Sequence, residues 1–294
     1  VYNNRKKLHD KLEALLDLLI IPEYKGAYTP YTTSQLNVSE VIEKNGISKR
    51  VKKTPHFIGG SSEALKRLER FIQFKANDYP DRNEPGKQIT STLSPYIHFG
   101  QISTQRIVLT LKDALLSGMM SQEAYDALVE QVFVRRELAF NYTYYNQGYD
   151  QFETMTEPWA YQTMKDHEDD PRTYIYTKEQ LELAQTHDKY WNAAMNEMVK
   201  SGYMHNYMRM YWAKKIIEWT KDYRSAYEIT KYLNNTYFLD GRDPNSYTGI
   251  AWNYGKHDRA WTERPIFGKL RYMNDKGLER KFDMNVYINY VNAL

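Results

Sequence analysis

Apolar residues recur at intervals of three and four along most of the chain after residue 60, the spacing that gathers side chains on one helical face. The strict alternation of a half-buried strand is rare, so the pattern predicts an all-α protein. Residues 61–72 place Leu65, Leu68 and Ile72 on one stripe, behind a serine cap and with acid early in the helix. Further helices are predicted over 94–98, 104–116, 122–141, 178–185, 189–200, 205–221 and 225–235. Residues 1–60 depart from this pattern. A short basic amphipathic helix through Ile20 gives way to a run rich in Pro, Gly and Thr over 22–34, and a second irregular stretch spans 45–60. We therefore read 1–60 as a linker lying over a main helical domain of 61–294. No repeat of fixed period is present.

The run from Tyr237 to Trp252, with its continuation through His257–Trp261 and Phe267–Met273, breaks the helical pattern differently. It mixes acids, arginines and tryptophans with Gly241, Pro244 and Gly249, which predicts an irregular ligand-binding segment. The chain of 294 residues has 15% aromatic residues, including 27 tyrosines and six tryptophans, which can fill a core or stack on planar ligands and bases. It has no cysteine, which excludes disulfides, thiolate metal sites and cysteine nucleophiles and agrees with a reducing, intracellular setting. No apolar run approaches the roughly 20 residues that a bilayer requires, so no membrane partner is expected. Net charge is only +3, yet Lys49–Lys53 is a basic cluster and residues 256–281 carry eight basic against four acidic side chains. Either cluster is a solvated surface or a face for phosphates.

Three constellations carry candidate chemistry. Around Thr90–Gly100, Ser94 suits an N-cap and Pro95 a first helical position, so Thr90, Ser91 and Ser94 can cradle a phosphate at a helix start. The same residues also suit an ordinary capped helix. In the run 204–219, Arg209, Trp212, Ile216 and Trp219 share one face. A guanidinium on a buried stripe needs an acid or anion, and Asp240 is the candidate partner. The two tryptophans stand roughly 10.5 Å apart along the axis, a spacing that plain packing also produces. Hydrolytic and metal motifs such as HExxH and GxSxG are absent, as are GxGxxG and the P-loop. The histidines are accordingly assigned to caps and surfaces, with His257 set apart by its place in the irregular segment.

Taken together, the segments 79–85, 90–103, 135–146, 186–191, 202–220, 239–252 and 257–273 resemble the helical FAD-binding catalytic domain of the photolyase and cryptochrome superfamily. Within it they resemble the class II cyclobutane pyrimidine dimer DNA photolyases. The resemblance spans residues 55–294. It implies a bent FAD, active as FADH−, held by Tyr79, Thr90, Ser91, Leu93, Ser94, Arg209, Asn234 and Asp240, with Asn234 near flavin N5. It also implies a photoreduction chain of Trp212, Trp191 and Trp219, with Tyr176 as a side branch. UV-damaged double-stranded DNA is the implied partner, its dimer flipped into a cavity. Arg82, Asn83, Met210 and Trp252 resemble lesion contacts, while Arg259, Trp261 and Arg271 resemble residues that fill or brace the vacated gap.

Three positions depart from the family. Gln131 stands where a glutamate hydrogen-bonds the dimer, with Glu130 beside it, and an amide cannot exchange a proton as a carboxyl does. Arg135 stands where some relatives stack a tryptophan. Val1 falls at the linker, so the N-terminal α/β antenna domain is expected to be absent, and with it any antenna chromophore. The implied activity is light-driven splitting of the dimer by a monomer, with Asn234, Gln131, Met210 and Trp252 at the reacting centre. A cryptochrome-like photoreceptor without repair activity is the alternative, and a helical nucleic-acid-binding module without cofactor ranks last.

Overall fold

The computed structural model describes Lys11, residues 37–47 and residues 50–294. The helix expected through Ile20 and the run 22–34 lie outside the described residues. Helices succeed one another as α1 (Val38–Lys44), α2 (Ser61–Phe74), α3 (Ser94–His98), α4 (Thr104–Leu116), α5 (Gln122–Val129), α6 (Arg136–Tyr145), α7 (Pro158–Asp166), α8 (Lys178–Glu182), α9 (Lys189–Ser201), α10 (Asn206–Trp219), α11 (Tyr223–Tyr237), α12 (Pro244–Asn253), α13 (Asp275–Lys281) and α14 (Met284–Ala293). Among the described residues there is no strand, and the isolated bridge Arg264 to Gly268 is the nearest approach to one. The all-α expectation holds.

Several boundaries differ from those the pattern predicts, each for a local reason. Segment 122–141 is not one uniform helix, because a π turn at Glu130–Arg135 separates α5 from α6. The helix starting at Ser61 has Gly60 at its N-cap and no side-chain cap, so the serine cap is not formed. Ser94 is likewise no cap. Leu93 already has helical dihedrals and takes the capping position, which makes Ser94 and Pro95 the first two residues of α3. The segment expected to be wholly irregular contains α12. Asp243 caps it by accepting from Asn245 N, and Pro244 sits at the first turn, where it has no hydrogen bond to lose. Gly249, inside that helix, costs only about 1 kcal/mol relative to alanine.

At the centre lies α10, apolar almost all round, with Tyr207, Met208, Tyr211, Trp212, Ala213, Ile216, Ile217 and Trp219 buried. A helix of that kind must be covered on every side, and α9, α11 and α12 pack against it. Trp191, Tyr227, Tyr254, Phe267 and Tyr287 complete this main core, each contributing on the order of 1.5–3 kcal/mol by leaving water. A second core under α2, α4 and α5 gathers Leu68, Phe71, Tyr96, Ile107, Leu111 and Leu128.

One glycine fixes a joint beside the main core. Gly202 ends α9 with φ +72, and a Cβ there would meet Leu239 Cγ at 2.7 Å. Leu239 N donates to Gly202 O at 2.9 Å, which pins the loop carrying Asp240 to the end of α9.

Candidate functional site

The site grows from the N-terminal turns of α10. His205 is its N-cap: Nδ1 accepts from Tyr207 N at 3.2 Å while Nε2 donates to Arg82 O at 2.9 Å. Both ring nitrogens are therefore committed in the neutral form, and burial pushes the imidazole down to about 4. Beside it Glu197, fully buried on α9, accepts from His205 N and from Tyr287 Oη. Its other oxygen has no partner among the described residues, and burial pushes the carboxyl up to about 7.

These two groups oppose each other in acid. His205 titrates below its unfolded value of 6.5, so its contribution is complete above 6.5 and is lost as pH falls through about 4. Glu197 titrates above its unfolded value of 4.5, so its contribution is complete below 4.5 and is lost as pH rises through about 7. Relative to wild type, His205→Gln should gain roughly 2–3 kcal/mol of unfolding free energy between neutral and mildly acidic pH. Urea unfolding at both pH values measures this, and a pH-independent difference between the two proteins would contradict it.

One turn along α10, Arg209 Nη2 donates to Asp240 Oδ1 and Oδ2 at 3.0 and 3.1 Å, and its Nε donates to Met204 O at 3.1 Å. The guanidinium lies 3.9 Å over the Phe238 ring and 5.5 Å over Tyr203. Asn234, 4% exposed near the end of α11, accepts from Ser246 Oγ and donates to Asn235 Oδ1. Tyr203 Oη donates to Thr90 Oγ1 at 3.1 Å, so the Thr90–Ser94 segment meets the same ring that stacks on Arg209. In that segment Leu93 is buried, Ser91 and Ser94 are half-buried, and Thr92 is held at φ +54 with Arg67 Nη1 donating to its hydroxyl. Positive φ in a β-branched residue is strained backbone that persists only where its surroundings demand it. Tyr79 is buried edge-on to Phe71, with the Arg82 guanidinium 5.2 Å over its ring, and burial raises its phenol. His98 Nδ1 lies 3.2 Å from Asp243, tying α3 to the cap of α12.

The tryptophans form a connected set. Trp212, Trp191 and Trp219 are each at most 2% exposed, Trp191 Nε1 donates to Trp212 O at 2.9 Å, and the Trp191 and Trp219 rings are 5.8 Å apart. Tyr176 lies 5.6 Å from Trp219, and its N–H donates to Trp219 O. Trp212 Nε1 is buried with no partner among the described residues. Trp212 and Arg209, one turn apart on α10, both pack on the Phe238 ring, so an orphaned indole N–H and a paired guanidinium share one neighbourhood, polar chemistry of the kind a flavin edge requires.

On a second face, Arg135 lies 4.8 Å over Trp252 while its Nε donates to Glu130 Oε1 at 3.0 Å. Gln131 is half-buried on the same π turn, and Met210 packs half-buried against the main core. His257 meets the Trp252 ring at 5.9 Å. Trp261, 38% exposed, is flanked by Arg259 at 5.2 Å and Arg271 at 5.3 Å. Asn83 is exposed beside Arg82. Sequence reasoning missed Tyr203, Phe238, Ser246, Glu197 and Lys214, all of which act through neighbours distant in sequence. Among the described residues no group of His, Asp and Glu is arranged to hold a metal ion, and no helix is long and apolar enough to cross a membrane.

No protein-family model matches the chain. Solved structures share its architecture: a bacterial class III photolyase from Agrobacterium tumefaciens superposes with TM-score 0.63 at 18% identity, over 83% of this chain and 48% of that one. A Synechocystis cryptochrome does so with TM-score 0.59 at 18% identity, over 82% and 48%. The fold is thus that of the helical FAD-binding domain of photolyases and cryptochromes. In sequence the chain is a homologue of deoxyribodipyrimidine photo-lyase: it is 48% identical over 239 residues to the enzyme of that name from Methanothermobacter thermautotrophicus, covering 81% of this chain and 52% of the relative. The chain spans about half the length of the curated relatives it matches.

Proposed function

We propose that this chain is the catalytic half of a class II photolyase that binds FAD and repairs cyclobutane pyrimidine dimers in UV-damaged DNA. When bound, the reduced flavin supplies on illumination the electron that opens the two carbon–carbon bonds of the dimer, and receives it back. Arg209, Asp240 and the uncharged Asn234 amide would hold the isoalloxazine, and Tyr79, Thr90, Ser91, Leu93 and Ser94 would hold the phosphate and ribityl side. Trp252, braced by Arg135, stacks on the extruded lesion with Met210, Gln131, Arg82 and Asn83 around it. Arg259, Trp261 and Arg271 fill the gap left in the duplex. The observation that carries this reading is the paired, stacked Arg209 beside the partnerless Trp212 N–H, in a chain 48% identical to a named photolyase.

Illumination of the reduced, flavin-loaded protein with UV-damaged oligothymidylate should restore the absorbance of the undamaged bases. Flavin loading with no recovery would point to the photoreceptor reading instead. Trp252→Ala should weaken binding to damaged DNA by about 1–3 kcal/mol, the usual loss of one stacked base, while flavin content stays unchanged. Titration of dimer-containing against undamaged duplex measures it, and equal loss on both would contradict lesion stacking.

A further inference from the structure

Beyond Trp219 the aromatic series does not stop. Tyr176 Oη lies 2.7 Å from His187 Nδ1, and His187 N donates to the same oxygen at 3.0 Å. In the tautomer protonated at Nε2, the Tyr176 hydroxyl donates to the Nδ1 lone pair while accepting from that backbone N–H. The His187 ring is also 5.0 Å from Trp219, and Tyr174 stacks on it at 3.9 Å and 24°. Tyr174 is 47% exposed and lies parallel to Tyr176, at 6.4 Å and 6°. His187 itself is exposed. A phenol touching a buried tryptophan, hydrogen-bonded to an imidazole at the surface, has an electron route on one side and a proton route on the other.

We propose that Tyr176 and His187 form a proton-coupled redox pair that ends the tryptophan chain, with His187 Nδ1 the proton acceptor and Tyr174 holding the imidazole in place. This rests on the flavin binding proposed above and on the photoreduction chain of Trp212, Trp191 and Trp219 that the family resemblance implies, whose ultimate oxidant would be a photoexcited oxidised flavin. With Trp219 as an indole cation radical, Tyr176 gives one electron to the indole and one proton to Nδ1. The products are neutral Trp219, a neutral phenoxyl radical on Tyr176 and the His187 imidazolium, so charge and protons balance. The proton then leaves to water from the exposed ring. Without the imidazole, oxidation would leave a strongly acidic phenol cation facing only a backbone donor. His187 thus makes the last transfer downhill and hard to reverse.

Flash excitation of the protein carrying oxidised flavin, followed by transient absorption and electron paramagnetic resonance, tests this. Wild type should show a tryptophan radical replaced by a tyrosyl radical, with a rate slowed in deuterated solvent. In His187→Phe the tyrosyl phase should slow by at least about a hundredfold, the scale of a positioned proton acceptor. In His187→Gly, added imidazole should restore that phase, a rescue that a merely structural role would not give. Tyr176→Phe should abolish the tyrosyl signal. A tryptophan radical that decays to tyrosyl at the wild-type rate in His187→Phe would overturn the pair while leaving the relay standing. Flavin-loaded wild type that forms no tryptophan radical would overturn both.

Discussion

Asp240→Ala is expected to release flavin and to lower unfolding free energy by about 3 kcal/mol, because it strands Arg209 between Phe238 and Tyr203 without its carboxylate. Removing one member of a buried pair leaves an uncompensated charge, and that loss exceeds what the intact pair contributes. The side chains are 21% and 10% exposed, so water relieves part of the penalty and the low end of the range applies. Asp240→Asn keeps an acceptor for Nη2 and should lose less stability, yet it still removes the charge that orients the guanidinium. The ratio of flavin to protein absorbance after purification, together with urea unfolding, measures both effects. An alanine variant that stays yellow and as stable as wild type would refute the role given to this pair.

Lys214→Met is expected to act in the opposite direction and to stabilise the protein at neutral pH. Lys214 is buried in the middle of α10, its Nζ donates to Asn253 O at the end of α12, and burial pushes the ammonium down to about 7. Its folded value lies below the unfolded 10.5, so the stability it contributes is complete above 10.5 and is lost as pH falls through about 7. Methionine removes that loss, roughly 4–5 kcal/mol near neutrality, and leaves the Asn253 carbonyl unpaired, which costs about 1–3. The net gain should be roughly 1–4 kcal/mol at neutral pH, turning in alkali into a loss of about 1–3 as only the unpaired carbonyl remains. Guanidinium unfolding at neutral and alkaline pH gives both numbers. A destabilised variant at neutral pH would mean that the ammonium is better solvated than its surroundings suggest.

The fold was largely legible because α2, α4, α9, α10 and α11 are amphipathic or uniformly apolar over several turns, and tertiary packing only trims their ends. The elements that escaped were α1, α7, α13 and α14, which drew no helical reading, and α12, which was read as irregular. In α12 the Asp-Pro start and internal glycine read locally as breakers, although both Asp243 and Pro244 sit where a helix accepts them. The π turn was equally invisible, since nothing in 122–141 disturbs the apolar spacing enough to mark one extra residue. For the site, the need of Arg209 for an acid followed from burial and charge alone, and Asp240 stands at hydrogen-bond distance. Ser94 shows the limit of that reasoning. Whether a serine caps depends on the dihedrals of the residue before it, which Leu93 sets. Tyr203 and Glu197 could not be found from sequence, because an isolated tyrosine and an isolated glutamate acquire their meaning only from Thr90, His205 and Tyr287 across the fold.

The π turn at Glu130–Arg135 also fixes how this region can change over time. Residues five apart face away from each other by about 140° on an ordinary α-helix, yet here Glu130 and Arg135 meet at 3.0 Å because the turn bonds five residues back. A one-codon deletion inside the turn would restore ordinary winding and, because the π turn takes up one residue's rotation of about 100°, would leave α5 and α6 presenting the faces they present now. Glu130 and Arg135 would then stand four apart, a spacing at which side chains still meet. The wall beside Trp252 can therefore lose one residue here and keep its register, whereas a deletion within α5 or α6 would turn one flank against the other.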